Sequence, residues 1–577
     1  MELNLNINLN KLFSIKNVSY VSIVLNLASI ILGFVYIITI SFYNIFWDIL
    51  GIIYLISLFS NFLLVFLDSI RLNKKNKLGR RLSIIGYLYL ITTTLAMIGM
   101  LAGNLLISIN YSSDFIANLK SYMMIWISYF GLLIFGIIIS YFNIKNLNNT
   151  KLWEQIEKRT SLVIKILKII LMLFCYFFLL IGIFFVIITL LGAETGVISG
   201  AIGLIVAEFD LFFVFIFLSI TVFVLKLKDR KKSPISFYAV VIIGIFISGV
   251  FMAPLCLTPY SVYSADKSFT DAFGSNWKSK IPTYVENTYF LKTPFSIPEY
   301  FLGMITNNYE VIEDIQFYDA EGINLCFDVY MPKVNGSNLP GNNSVIIKIH
   351  GGGWTQGDKG LADMMQVNKY LAAQGYVIFD IQYGLYDSGS EYLPTDEEVL
   401  GNFDIDDMVR HIGNFTRFLA IHSDNYSANL DSVFVSGGSA GGHLTCATAL
   451  GIDNGSYSTI FGDNLTIKGY IPFYPANGHS EYKNITGAIE FVHPDDYLIK
   501  SDSPPCLIFQ GTGDGLVHPS ISQHLKDMYN AKGNDECAII WLPLAGHAND
   551  LYFSGYYNQV FLFYMERFLY LCVNDLI

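Results

Sequence analysis

Seven apolar runs in the first 257 residues are too long for ordinary core helices, and they constrain the rest of the chain. About 20 consecutive apolar residues cross a bilayer as a helix, because hydrocarbon offers no water to satisfy the backbone. The runs are Val18–Phe42, Phe46–Ile70, Leu82–Ile109, Leu119–Phe142, Lys168–Gly192, Val197–Leu225 and Phe237–Leu257. No small-residue cleavage site follows the first and more runs come straight after it, so it reads as a span and not a signal peptide. Across 577 residues the chain is 53% hydrophobic and only 14% charged. A membrane unit joined to a more polar domain explains that composition; one soluble domain does not.

Basic residues fix the expected orientation. Lys11 and Lys16 precede the first run, and Arg71, Lys74, Lys75, Lys77, Arg80 and Arg81 lie between the second and third. Lys145, Lys151, Lys158 and Arg159 follow the fourth, and Lys226, Lys228, Arg230, Lys231 and Lys232 follow the sixth. The alternate connections near Tyr43, Asp114 and Glu194 carry almost no Lys or Arg. The positive-inside rule then puts the N-terminus in the cytoplasm and everything after Leu257 outside it, in a multi-pass cell-membrane protein. Glu208 and Asp210 are the acids well inside an apolar run. They read as the outer edge of a sixth span that begins near Leu211, in preference to an ion or proton site.

The net charge of −11 comes with no basic stripe and no interleaved aromatics, so nucleic acid is not an expected partner. Seven cysteines form neither a C-x-x-C pair nor a zinc pattern; they read as buried free thiols, with a disulfide the alternative in a domain that faces an oxidising compartment. Sequons at Asn335, Asn342, Asn414, Asn425, Asn454, Asn464 and Asn484 suit an exported domain but carry little weight in so Asn-rich a chain.

After a mixed, aromatic connector over 258–309, the pattern changes. Val311–Tyr318 and Ile323–Tyr330 read as a hairpin around Asp319-Ala320-Glu321-Gly322. Short apolar runs at Ser344–His350, Tyr376–Gln382, Asp431–Ser436, Lys468–Phe473, Cys506–Gln510 and Cys537–Leu542 then alternate with helical patterns. Continuous stretches such as Val345-Ile346-Ile347 fit strands buried on both faces. The expectation is a doubly wound, mostly parallel sheet over 310–577, with chemistry at the carboxyl ends of its strands.

The chemistry-bearing residues fall at those ends. Gly437, Ser439 and Gly441 form G-x-S-x-G between a strand and a helix, a tight turn that projects a serine Oγ. His350-Gly351-Gly352-Gly353-Trp354 ends an earlier strand, and its bare backbone can aim N–H groups at a developing oxyanion. The expected donors are Gly352, Gly353 and Ala440. In the order serine, acid, histidine, Asp514 follows one later strand and His547 the next. His547 would act as general base and Asp514 would orient it. His518 lies too close to Asp514 for a strand end of its own, and His493 and Asp502 precede the acid's strand, so surface or capping roles suit them better. Trp354 and Tyr383 read equally as pocket lining or as packing.

HGGGW followed by Gly357-Asp358-Lys359, then GGSAGGHL, PP-x-L-I-x-x-GTGD and a late Gly-His, resembles the α/β-hydrolases of the hormone-sensitive-lipase-like group. Carboxylesterases with the same serine turn, including relatives of feruloyl esterases and kynurenine formamidase, are nearest in pattern. The resemblance covers about residues 310–575 and none of the apolar unit. It implies hydrolysis of carboxylic esters, or occasionally amides, through an acyl-enzyme on Ser439, with no metal or cofactor. A small-molecule or lipid-like ester is then the expected substrate and the bilayer a partner; oligomeric state stays open. Many relatives carry Tyr-Arg where this chain has Tyr383-Gly384, which bears on local contacts and substrate choice. Two rival readings stand beside this one: a peptidase, amidase or acyltransferase on the same scaffold, and a membrane sensor or transporter whose hydrolase-like domain only binds ligand.

Overall fold

The computed structural model describes residues 14–39, 46–71, 77–110, 115–146, 162–192, 206–228, 230, 232–361, 364–389 and 392–577. Among the described residues, seven helices are long and apolar enough to cross a membrane. They are α1 (Ile15–Thr39), α2 (Phe46–Arg71), α3 (Lys77–Ser108), α4 (Phe115–Lys145), α5 (Leu162–Leu191), α6 (Asp210–Leu227) and α7 (Pro234–Phe273). Lys11, Lys74, Lys75, Lys151, Lys158, Arg159, Lys231 and the sixth run's expected start at Val197 lie outside the described residues.

Polar side chains between α1 and α2 turn inward and pair, because an unpaired amide in an apolar environment is costly. Asn26 and Asn61 exchange two amide hydrogen bonds of 2.8 and 3.0 Å between α1 and α2. Hydroxyl pairs Ser22–Ser60 and Ser29–Ser57 flank them at 2.6 and 3.1 Å. The outward faces are the reverse: Leu173, Phe174, Phe177 and Leu180 of α5 are all more than half exposed.

Helix α7 does not stop at Leu257 but runs 40 residues to Phe273, through Pro254 and Pro259. In the sequence, the mixed, aromatic stretch from Thr258, with Pro282, Pro294 and Pro298, reads as a connector. Yet Thr258, Ser261, Ala265, Phe269 and Phe273 are buried at helical spacing and form a stripe that packing rewards. At about 1.5 Å per residue the helix is about 60 Å long, so one element belongs to both halves of the molecule. Ser268 Oγ accepts from the Ile539 N–H at 3.1 Å, and Tyr564 donates to the Val262 carbonyl at 3.2 Å.

The second half forms an eight-stranded sheet: β1 (Tyr309–Ala320), β2 (Ile323–Pro332), β3 (Ser344–Ile349), β4 (Val377–Ile381), β5 (Asn429–Gly438), β6 (Ile467–Phe473), β7 (Cys506–Gly511) and β8 (Cys537–Leu542). Its order is β1-β2-β4-β3-β5-β6-β7-β8. The β1–β2 and β2–β4 pairs are antiparallel and every later pair is parallel. The first two strands turn through Glu321 and Gly322, whose φ of 59° and 80° match a two-residue type I′ hairpin. All six residues of β3 are buried, as a strand covered on both faces requires.

Alternate strand residues divide between two cores. Val345, Ile347, Val377, Phe379, Val433 and Val435 pack against α10 (Ile405–His422), α11 (Ala440–Asn454) and α12 (Pro519–Ala531). Ile346, Ile378, Phe434 and Ile540 face α9 (Met364–Ala373) and α13 (Tyr556–Val573), and that cluster runs on through α8 (Ile297–Leu302) into the helical bundle. Capping at α10 follows the sequence: Asp404 and Asp407 each accept from the other's backbone N–H, a reciprocal capping box. All seven cysteines are free, five of them buried.

The carboxyl ends of β7 and β8 face the bundle. A Cβ added to Gly192, just past α5, would stand 3.0 Å from the Gly513 carbonyl after β7. Beyond β8, Tyr552 packs on Phe209 and Phe212 with ring centroids 5.6 and 5.9 Å apart, and accepts from Asn104 Nδ2 of α3 at 3.0 Å. Tyr556 opens α13 by donating to Asp210 Oδ2 at 3.2 Å. Helix α6 thus begins at Asp210, and Glu208 and Asp210 are buried at the end that meets the sheet domain, next to Tyr300 and Tyr556.

Candidate active site

Strand β5 passes straight into α11 through Ser439, whose φ of 59° and ψ of −120° are an uncommon conformation for a residue with a side chain. The turn closes only because its neighbours are bare. A Cβ on Gly437 would lie 2.3 Å from the Ile349 carbonyl oxygen, and one on Gly441 would lie 2.2 Å from the same atom. The Ser439 N–H donates to the Phe473 carbonyl at 3.0 Å, which ties the turn to β6.

Ser439 Oγ lies 2.9 Å from His547 Nε2, and His547 Nδ1 lies 2.8 Å from Asp514 Oδ2. Asp514 is 3% exposed and His547 7%. The other Asp514 oxygen accepts the Leu516 and Val517 N–H groups at 3.0 and 2.9 Å, so the carboxylate is fixed from its own loop. Three segments far apart in sequence therefore converge on one hydrogen-bonded line.

Residues 350–354 run alongside. Gly352, Gly353 and Trp354 have φ of 118°, 63° and 62°, a left-handed run that turns the backbone sharply. A Cβ on Gly351 would sit 3.4 Å from Ser439 Cβ, so this loop lies against the serine. Among the described residues, no hydrogen bond is donated by the backbone N–H of Gly352, Gly353 or Ala440. Free donors at a site otherwise rich in internal bonds are what an anionic oxygen would need.

His350, Trp354 and Tyr383 are packing residues in this arrangement. Tyr383 is fully buried, stacks on the His350 ring at 4.5 Å and donates to the His350 carbonyl at 3.0 Å. Trp354 is 2% exposed, and its Nε1 donates to His443 Nδ1 at 3.2 Å, so it braces the helix that follows Ser439. Burial pushes His443 down to about 4. Its Nε2 lies 2.7 Å from the Phe491 carbonyl, which places the proton there and leaves Nδ1 as acceptor. At Gly384, a Cβ would collide with His411 and Phe403 at 2.6 and 2.7 Å, so the space after Tyr383 is already filled. His518 caps α12 through Ser520, while His493 lies 3.5 Å from Glu481.

Four residues of the site carried no motif. Tyr474, just past β6, packs on the His547 ring at 4.5 Å and donates to Asp550 Oδ1 at 2.6 Å. Burial raises the Asp550 carboxyl, and the Tyr474 hydrogen bond opposes that. His479 lies near enough to Asp514 and His547 to feel both charges, although burial is the larger influence and lowers it. Lys483 reaches the glycine loop by donating to the Gly353 carbonyl at 3.1 Å. A position just past a strand's carboxyl end was the available signal, and it held for Tyr474 alone. Among the described residues, no group of three or more His, Cys, Asp or Glu side chains has a metal-binding arrangement.

Known proteins resemble this half of the chain. Residues 327–474 match the family model described as BD-FAE. A probable carboxylic ester hydrolase of Mycobacterium tuberculosis, LipM, is 25% identical over 245 residues, which is 37% of this chain. The chain spans about half of that relative's length, 51%. Among solved structures, esterase B of Lactobacillus rhamnosis is 20% identical, covers 46% of this chain and 88% of its own, and gives a TM-score of 0.38. Esterase 2 of Thermogutta terrifontis is 22% identical over 45% of this chain and 91% of its own, with a TM-score of 0.35.

Proposed function

We propose that this chain is a membrane-anchored serine hydrolase that cleaves carboxylic esters through an acyl-enzyme on Ser439. The observation that carries the reading is the unbroken line Asp514–His547–Ser439, at 2.8 and 2.9 Å, beside a glycine loop with free N–H donors. Ser439 Oγ attacks the ester carbonyl carbon as its proton passes to His547 Nε2. The carbonyl π electrons move onto oxygen, where the Gly352, Gly353 and Ala440 N–H groups receive the charge. When the tetrahedral centre collapses, the C–O bond to the alcohol breaks and His547 returns the proton to the leaving oxygen. Water then repeats the sequence on the acyl-enzyme, releasing the acid and restoring Ser439. Asp514 keeps the Nδ1–H tautomer and stabilises the imidazolium without taking its proton.

The anchor is argued from the bundle. Among the described residues, seven helices long enough to span a bilayer expose apolar side chains outward, and lipid covers such a surface at little cost. The sheet domain meets the bundle at the ends of α3 and α5 and the start of α6, whereas Lys145, Lys226, Lys228 and Lys232 lie toward the opposite ends. With basic ends cytoplasmic, the hydrolase lies outside the cell membrane. The division into residues 1–257, 258–309 and 310–577 belongs to the same proposal, with α7 crossing its first boundary.

Turnover of 4-nitrophenyl butyrate by the full-length protein in detergent, compared with Ser439→Ala, tests the activity. The reading predicts loss of at least about 10³-fold in kcat. Equal turnover by the variant would remove Ser439 from the reaction.

A further inference from the structure

Beside the glycine loop lies a cavity of about 290 Å³ that the triad chemistry does not use. It is lined by Thr355, Gln356, Tyr386, Ser388, Tyr392 and Lys483. Four of the six carry hydroxyl groups, and Lys483 is the one charged residue among them. Lys483 ends the 3₁₀ turn His479–Lys483, on the segment that also brings His479 toward the triad. Its ammonium donates to the Gly353 carbonyl and stands so close that a Cβ on Gly353 would meet it at 2.4 Å. One proton of three is thereby used, and two remain for a guest.

The surroundings offer that ammonium no carboxylate partner among the described residues. Lys483 is an exposed residue whose partial desolvation lowers its pKa, with no acidic neighbour raising it. Gln356 adds to the same polarity. Its Oε1 accepts the Tyr392 and Leu393 N–H groups at 2.7 and 3.2 Å, so the acceptor is spent and the amide N–H₂ is left to donate. A cation and several donors around one void, in a chain of net charge −11, suit a negatively charged guest. The place is also specific: Gly353 is a proposed oxyanion donor, so a group held here is close to the scissile carbonyl.

We propose that this cavity binds an oxyanion group, a carboxylate or a phosphate, carried by the ester substrate itself. Lys483 is then a specificity-determining residue, with Gln356 as a second donor. The inference rests on the serine-hydrolase reading and narrows its substrate to anionic esters.

The test uses the full-length protein in detergent and matched ester pairs. On the acyl side these are 4-nitrophenyl hemisuccinate and 4-nitrophenyl butyrate; on the alcohol side, O-butyryl glycolate and ethyl butyrate. The measured quantity is the ratio of kcat/KM for the anionic ester to that for the neutral one. In at least one pair the ratio should exceed one, and it should fall with added salt because the attraction is ionic. Lys483→Met should lower that ratio about tenfold to a hundredfold, the worth of one charge-assisted hydrogen bond. Lys483→Glu should lower it further, and Lys483→Arg should keep most of it. A lysine that merely braced the glycine loop would change both esters together and leave the ratio alone; that result in both pairs overturns the proposal. A wild-type preference for the neutral ester in both pairs also overturns it, with no variant required. Failure of the underlying reading looks different, since no ester of either charge would then turn over in a Ser439-dependent way.

Discussion

Gly352→Ala is the sharpest single perturbation of the proposed oxyanion loop. Gly352 has a φ of 118°, and a Cβ built there lies 1.8 Å from the Gln356 carbonyl oxygen and 2.6 Å from its carbon. Real Cβ contacts essentially never fall under 3.0 Å, so the backbone must move by more than an ångström. The atom in the way belongs to the main chain, and no side-chain rotation relieves the clash. The φ itself adds about 1–3 kcal/mol of strain for any residue with a side chain. An oxyanion donor works at about 2.7–3.1 Å, so a shift of this size takes the Gly352 and Gly353 N–H groups out of range. Loss of one donor costs about 3 kcal/mol, a factor of about 10²–10³ in kcat. Loss of both should bring the fall to about 10⁴-fold or more. The assay is pre-steady-state and steady-state turnover of 4-nitrophenyl butyrate by full-length protein, with thermal unfolding to confirm that the variant folds. A folded Gly352→Ala protein that keeps more than about a tenth of wild-type kcat refutes the assignment of this loop.

Two further outcomes follow from contacts elsewhere. Asn104→Leu removes the hydrogen bonds from α3 to the Phe301 carbonyl and the Tyr552 hydroxyl, at 3.2 and 3.0 Å. Because Tyr552 lies on the loop of His547, thermal stability should fall by about 1–3 kcal/mol and kcat several-fold, measured by unfolding and turnover in detergent; an unaltered protein would show that the bundle does not brace this loop. For His443, burial holds the folded imidazole at about 4, below the roughly 6.5 of an unfolded chain. The unfolded state therefore binds the proton first as pH falls. The stabilising contribution is complete above about pH 6.5 and is lost toward pH 4, up to roughly 3 kcal/mol. The stability advantage of wild type over His443→Gln should shrink between pH 7.5 and 4.5, and an advantage that grows on acidification would be contradictory.

The strands and the parallel order were legible because their signals are local. Val345-Ile346-Ile347 and Val377-Ile378-Phe379 are apolar without alternation, and both lie in strands with parallel partners. The glycines around Ser439 and the HGGG run were legible for a related reason, since only residues without Cβ atoms fit at Gly437, between Ile349 and Gly441, and at Gly352, against the Gln356 carbonyl. The length of α7 was not. Its buried positions beyond Thr258 are small or mixed residues whose value comes from β8 and α13, partners that the local sequence does not name. Tyr474, Asp550 and Lys483 escaped for the same reason: each gains its place from contacts to residues 76 to 130 positions away. Glu208 and Asp210 show the limit in reverse. Their place at the edge of a span followed from charge and length, but their burial against Tyr300 and Tyr556 depends on the docked domain.

Everything proposed for this chain turns on whether Ser439 is an activated nucleophile in the intact protein. Labelling of the full-length chain in bilayers with a fluorophosphonate probe, followed by peptide mass spectrometry, measures this directly. One modified residue is expected, Ser439, with labelling abolished in Ser439→Ala and strongly slowed in His547→Ala. Folded wild-type protein that takes no label, or takes it at another serine, would contradict it.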